Sequence, residues 1–251
     1  MWLVVQELRA VWAAAMFFTR VPLPSLPAMT ADDQRRAASY WPLVGVAVGA
    51  AIAGVWWVAA HAFPPGVAVA LALCAGLLLT GALHEDGFAD VCDGFGGGAT
   101  RERVLEIMRD SSVGVFGAIG LVVLMLLKWQ TMAALPPALM LAALVAAHAL
   151  CRGGAVTLMA ALPYARAEAS KGGAMVAKPA LVRLIGVGVV ALAPLPFLPV
   201  RCWWALAAAL AVWVATGLWF KHRIGGYTGD CLGATQQLGE VVILLAVVGL
   251  A

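Results

Sequence analysis

Long apolar runs separated by short polar stretches dominate the chain. Runs of membrane-span length lie at 40–60, 66–83, 113–135, 138–162, 181–199, 203–220 and 238–251, the last of them short. About 20 mostly apolar residues cross the roughly 30 Å of bilayer hydrocarbon, so these runs predict about seven transmembrane helices. Pro64-Pro65 and Pro136-Pro137 fall where hairpin turns would join neighbouring spans, because proline ends helices. The first 20 residues read as an amphipathic helix at the interface, where Glu7 and Arg9 are better placed than in hydrocarbon. Those two charges, the missing basic leader and the missing small-residue cleavage site argue against a signal peptide. The predicted fold is all-α: a polytopic helix bundle forming one membrane domain over 1–251, preceded by an interfacial helix.

Composition removes the soluble alternatives. Of 251 residues, 63% are hydrophobic and 12% charged, against roughly 25% charged in a soluble domain. One soluble core of this size cannot hide that much apolar surface, and a chain this apolar is not disordered. The net charge of +3, without a basic run longer than two residues, gives no footing for nucleic acid. Five cysteines with no CxxC pair read as thiols of a reducing compartment.

Charge placement orients the spans. Arg9, Arg20, Arg35 and Arg36 precede the first; Arg101, Arg103 and Arg109 follow the second. Arg166, Lys171, Lys178 and Arg183 follow the fourth, and Lys221 and Arg223 the sixth. Thirteen of sixteen positive charges therefore share one side, which identifies it as the cytoplasmic face of a multi-pass membrane protein. Lys128 and Arg152 stay inside spans, and Arg201 lies opposite.

Twelve of thirteen acidic residues fall on the cytoplasmic side too, with Glu240 at the start of the last span ambiguous. They concentrate in a predicted loop, 84–112, that opens His84-Glu85-Asp86-Gly87-Phe88-Ala89-Asp90-Val91-Cys92-Asp93-Gly94. Asp86, Asp90 and Asp93 are spaced i, i+4, i+7, which puts three carboxylates on one helical face. Like charges so arranged repel unless a divalent cation reverses the cost, and carboxylate oxygens suit hard ions such as Mg²⁺ or Mn²⁺. Asp110, at the membrane boundary before the third span, is the fourth candidate ligand, and His84 a candidate general base or metal ligand. A short helix over 101–109 is predicted, with Thr100 as N-cap. The second predicted catalytic loop, 221–237, carries Lys221, Arg223, Thr228 and Asp230 among glycines that suit an anion-binding turn. Arg20, Arg36 and Arg109 are further candidates for phosphate contacts.

At 19–24, 40–49, 80–94, 105–117 (which includes LEIMRDSSVG) and 225–234 the sequence resembles the cobalamin synthase family of adenosylcobinamide-GDP ribazoletransferases. The resemblance runs along nearly the whole chain; Glu85 departs from it, standing where an aliphatic residue is commoner. It implies a transferase that joins adenosylcobinamide-GDP to α-ribazole or its 5′-phosphate, releases GMP, and uses Mg²⁺. It also implies corrinoid, α-ribazole and membrane lipid as partners, and allows a homo-oligomer or association with other late cobalamin-assembly enzymes. The residues agree: attack by a ribose 5′-hydroxyl on a phosphoanhydride builds charge that Mg²⁺ on Asp86, Asp90, Asp93 and Asp110 would neutralise. Arg109, Lys221 or Arg223 would hold the nucleotide phosphates, and a carboxylate or His84 would take the proton.

Two rivals use the same residues. A CDP-alcohol phosphatidyltransferase-like enzyme would apply the metal chemistry to a lipid, with Asp90-x-x-Asp93-Gly94 as its short likeness. A cation-coupled transporter would place ionisable groups at the bilayer midplane on broken helices, whereas this reading places the acids in loops.

Overall fold

The computed structural model describes residues 2–24, 30–166 and 179–251, and among them the regular structure is helical. Lys171 and Lys178 lie outside the described residues. Eleven α-helices follow in order: α1 Trp2–Phe18, α2 Ala31–Ala37, α3 Trp41–Ala59, α4 Pro65–Thr80, α5 Leu83–Gly97, α6 Arg101–Ile107, α7 Val115–Ala134, α8 Met140–Ala161, α9 Leu181–Leu192, α10 Trp204–Ile224 and α11 Gly229–Leu250. Prolines open α4 and the short 3₁₀ turn before α8, so both expected hairpin turns are present. Thr100 caps α6, its hydroxyl accepting from the Arg103 amide.

Among the described residues five helices (α3, α7, α8, α10 and α11) are long and apolar enough to cross a membrane. The pair α4–α5 makes a sixth if its 89° bend is counted within one broken span, and α9 is a shorter apolar helix. Large apolar side chains such as Leu78, Val115 and Trp204 lie on the outside, as a lipid-facing surface requires. Of the span windows, 78% of that in α8 and 72% of that in α11 is buried, against 28% in α7 and α10. So α8 and α11 form the centre of the bundle. Small residues let it close: a Cβ on Gly45 would stand 2.3 Å from the His148 carbonyl oxygen, and one on Gly49 2.7 Å from that of Leu144.

Two predicted loops are largely helix. Residues 83–97 form α5, and the bend that separates it from α4 sits at Gly81 (φ 66°) and Ala82 (φ 55°). The stretch 229–237 is the buried beginning of α11, and Glu240 lies within that helix at 1% exposure, far from its start. Because the rising and falling helices alternate, the ends of α5, α8 and α10 meet. The Arg101 guanidinium donates to the carbonyls of Ala165 and Ile224, and Tyr227 donates its amide to the Pro163 carbonyl and receives one from Ala165.

Candidate active site

The site begins at the contact between α5 and α11. A Cβ on Gly87 would come within 2.9 Å of the Asp230 Cα, and one on Gly233 within 3.1 Å of the His84 carbonyl oxygen. The two helices therefore touch backbone to backbone, which brings Asp86 and Asp90 of α5 against Asp230 in the first turn of α11. Asp90 feels the negative charge of Asp230, Asp86 and Asp93 and the positive charge of Arg166. Arg166, held just beyond α8 by the Pro163–Tyr227 pairing, donates to Asp230 at 2.9 Å and to the Met108 carbonyl at 3.1 Å. Its buried Nε makes no hydrogen bond to another protein atom. The Thr228 hydroxyl caps α11, accepting from the Cys231 amide and donating to Asp230.

Asp86, Asp230 and Arg166 line a cavity of about 220 Å³, whose opposite wall is Phe17, Phe18, Trp41 and Tyr164. Two carboxylates face one guanidinium there, an excess of negative charge that a bound cation or a proton would relieve. Among the described residues no three His, Cys, Asp or Glu side chains stand as a ready-made metal cage.

His84 opens α5 buried, its ring stacked on Phe18 at 5.4 Å and 13°. It lines this cavity and a smaller interior one, and its Nε2 makes no hydrogen bond to another protein atom. Asp93 is engaged differently. Its two oxygens accept from the amides of Gly114 at 2.7 Å and Gly117 at 2.8 Å, so it sits on the exposed donors at the N-terminus of α7. Asp110 is exposed and accepts from the Ser112 amide, which holds its carboxyl below the usual carboxylate range; it lines a separate open groove with Asp93 and Arg103.

The other basic candidates have structural partners or stand off the cavity. Arg223 donates to the carbonyls of Phe95 and Gly98, capping the C-terminal end of α5. Arg36 pairs with Asp32 at 2.7 Å and Glu7 at 3.1 Å, tying α2 to α1. Arg20 packs over Gly81 at the bend, and its amide donates to the Leu79 carbonyl. Arg109 and Lys221 are exposed and are not part of the cavity wall. Sequence reasoning missed Arg166 as a site residue, counting it only as a topology charge. It also missed the aromatic wall, three of whose members lie in or beside segments read as interfacial or spanning.

Lys128 and Arg152 belong to a polar network inside the bundle. Lys128 donates to Glu240 at 2.9 Å and Gln237 at 2.7 Å, with Glu85 at 3.7 Å, and Gln237 donates to Glu85. His148 meets Glu240 at 2.9 Å, and the fully buried Arg152 reaches His148 and lies 5.2 Å over the Phe18 ring. Glu85 and Glu240 are therefore interior charges on helices, one of them on a broken pair. The sequence argument against a transporter, that the acids lie in loops, loses its premise here. Lys128, which pairs with both acids, and His148, which pairs with Glu240, supply a structural reason for them instead.

The cobalamin-5-phosphate synthase family model matches residues 10–248. The chain is 47% identical over 247 residues to an adenosylcobinamide-GDP ribazoletransferase of Ralstonia nicotianae, covering 94% of this chain and 93% of that one. It is 44% identical over 246 residues to the protein of the same description from Ralstonia pickettii (94% and 93% covered), and 38% identical over 253 residues to that of Shewanella frigidimarina (97% and 95%). No solved structure matches the chain.

Proposed function

The chain belongs to the cobalamin-5-phosphate synthase family, a family of transferases of cobalamin synthesis, and from that premise we propose a Mg²⁺-dependent adenosylcobinamide-GDP ribazoletransferase. The acceptor is α-ribazole or its 5′-phosphate, GMP leaves, and adenosylcobalamin or its 5′-phosphate forms. The observation that carries the reading is the convergence of Asp86 from α5 with Asp230 from α11 beside Arg166 on a cavity large enough for a substrate group, with Asp90 within electrostatic reach of all three.

A 5′-phosphorylated acceptor has no free 5′-hydroxyl, so the nucleophile is one of the ring hydroxyls of ribose. Asp86 and Asp230, on the cavity wall, would hold Mg²⁺, which would neutralise charge on the phosphoryl and leaving-group oxygens, with Asp90 adding negative charge nearby. Arg166 is held rigid through Asp230 and Met108 and offers a guanidinium to the diphosphate. His84 Nε2, without a protein partner, is available for the hydroxyl proton. Asp93 acts at one remove, fixing α7 against α5. The clustering of Arg and Lys at the end of the bundle that carries the site supports a cytoplasmic active face in the inner membrane, where large hydrophilic substrates arrive.

The test is GMP release from adenosylcobinamide-GDP and α-ribazole by purified protein in liposomes, with Mg²⁺ titrated. Asp86→Asn and Asp90→Asn are each expected to cut the rate about a hundredfold or more while leaving insertion intact. Wild-type rates in both variants would remove the metal assignment. A silent wild-type protein that instead turned over a CDP-linked lipid would remove the substrate assignment.

A further inference from the structure

We propose that the aromatic wall of the 220 Å³ cavity is the seat of the acceptor's fused-ring base, and that Phe17 and Trp41 set acceptor selectivity. The inference rests on the transferase reading above and adds the half of the acceptor that the carboxylates do not explain.

Size decides first. Pockets for drug-sized ligands run to roughly 300–1,000 Å³, so a cavity of about 220 Å³ has room for one small ring system and none for a corrin macrocycle. The cavity also has two unlike halves. Asp86, Asp230 and Arg166 form the polar half, where a ribose hydroxyl must arrive, and Phe17, Phe18, Trp41 and Tyr164 form the other. A nucleoside has the same division, with a flat base on one side of its sugar.

The wall is rigid in the way a base platform needs. Phe18 is fixed on three sides, by His84 stacked at 5.4 Å, by Trp41 edge-on at 4.9 Å and by the Arg152 guanidinium 5.2 Å over its ring. Tyr164 is held by Tyr227 at 5.5 Å and 73°. Phe17 and Trp41 lie parallel, 6° apart in plane, with centroids 6.0 Å from each other. A ring inserted between them needs two carbon contacts of about 3.5 Å, or about 7 Å in all, so the base lies across the wall and does not slide into that pair. Arg152, fully buried and spent partly on Phe18, thus supports the substrate wall from behind without touching substrate.

The donor's guanine offers the same flat chemistry, and a lipid chain the same apolarity, so the experiment separates the three. Steady-state GMP release by full-length protein in liposomes is measured with α-ribazole and adenosylcobinamide-GDP varied in turn, for wild type, Phe17→Leu, Trp41→Leu and Trp41→Phe. Phe17 is 46% exposed, so its substitution leaves the core intact. Loss of a base-stacking face is worth roughly five- to a hundredfold, so Phe17→Leu and Trp41→Leu should raise the α-ribazole KM about tenfold or more. The donor KM should stay within about twofold, and Trp41→Phe should recover most of the loss. Binding of α-ribazole alone should quench tryptophan fluorescence in wild type and less in Trp41→Phe. An unchanged α-ribazole KM overturns the assignment, as does a rise confined to the donor KM, which would seat guanine there, or a fall in kcat with neither KM moved, which would fit a lipid or a merely structural wall. Wild-type protein that releases no GMP defeats the transferase reading itself, a different result from any of these.

Discussion

Replacing Gly87 by alanine is the sharpest probe of how the site is assembled. The added Cβ would lie 2.9 Å from the Asp230 Cα and 3.1 Å from its carbonyl oxygen, where ordinary contacts are 3.4–4 Å. Both obstructing atoms are backbone, so no side-chain rotation relieves the clash and α5 and α11 must separate by about 0.5–1 Å. Overpacking of this kind costs roughly 1–3 kcal/mol of stability. The larger effect is on chemistry. The displaced residue is Asp230 and the residue next to the substitution is Asp86, so the shift opens the carboxylate pair directly. A misplacement of about 1 Å lowers rates by up to roughly a hundredfold. We expect Gly87→Ala to lose activity by that order while remaining folded in detergent, with a Tm a few degrees lower. Gly54, which has nothing within 4 Å of its would-be Cβ, is the control; Gly54→Ala should keep wild-type kinetics. GMP-release rates at saturating substrate and thermal melts of both variants make the comparison. Equal rates in Gly87→Ala and wild type would refute the claim that direct helix contact sets the site.

Two further outcomes follow from particular contacts. Asp93→Asn loses one of two charge-assisted bonds to the α7 amides, worth roughly 1.5–3 kcal/mol, so it should lower Tm yet leave the Mg²⁺ concentration for half-maximal rate unchanged; a shifted Mg²⁺ dependence would return Asp93 to the metal. Glu7 is held at a pKa of about 2, against 4.5 ordinarily, chiefly by its hydrogen bond from Arg183, with Tyr40 and Arg36 adding to it. A carboxyl depressed in this way stabilises the fold above pH 4.5 and loses that contribution as pH falls toward 2. The Tm difference between wild type and Glu7→Gln should therefore shrink between pH 5 and pH 3, and a constant difference over that interval would show that the Arg183 contact contributes nothing.

The helical membrane bundle could be read from apolar runs because hydrocarbon solvent demands them, and the proline turns and the Thr100 cap followed from local chemistry. What hydropathy misjudged was where helices end. The run 66–83 looks continuous, yet the chain turns through 89° at Gly81 and Ala82, and the polar segment beyond it continues as helix. The same happened at Thr235, Gln236 and Gln237, which are buried in α11 although they read as loop. In water, polar residues mark the outside of a fold; in a bilayer the outside is lipid, and polar residues at helical spacing collect where helices face one another. A hydropathy scan therefore stops a helix at the point where it enters the site. The i, i+4, i+7 spacing put three carboxylates on one helix, but spacing along one helix carries no information about which neighbour each carboxylate meets. Asp86 and Asp90 approach Asp230 because Gly87 and Gly233 remove the side chains between two backbones, whereas Asp93, one turn further on, reaches the unpaired amides of α7. Arg166 is the counterpart of that lesson. Nothing within its own stretch of sequence marks it as different from the other cytoplasmic arginines, and it becomes a site residue only because the loops after α8 and α10 pair through Pro163, Ala165 and Tyr227.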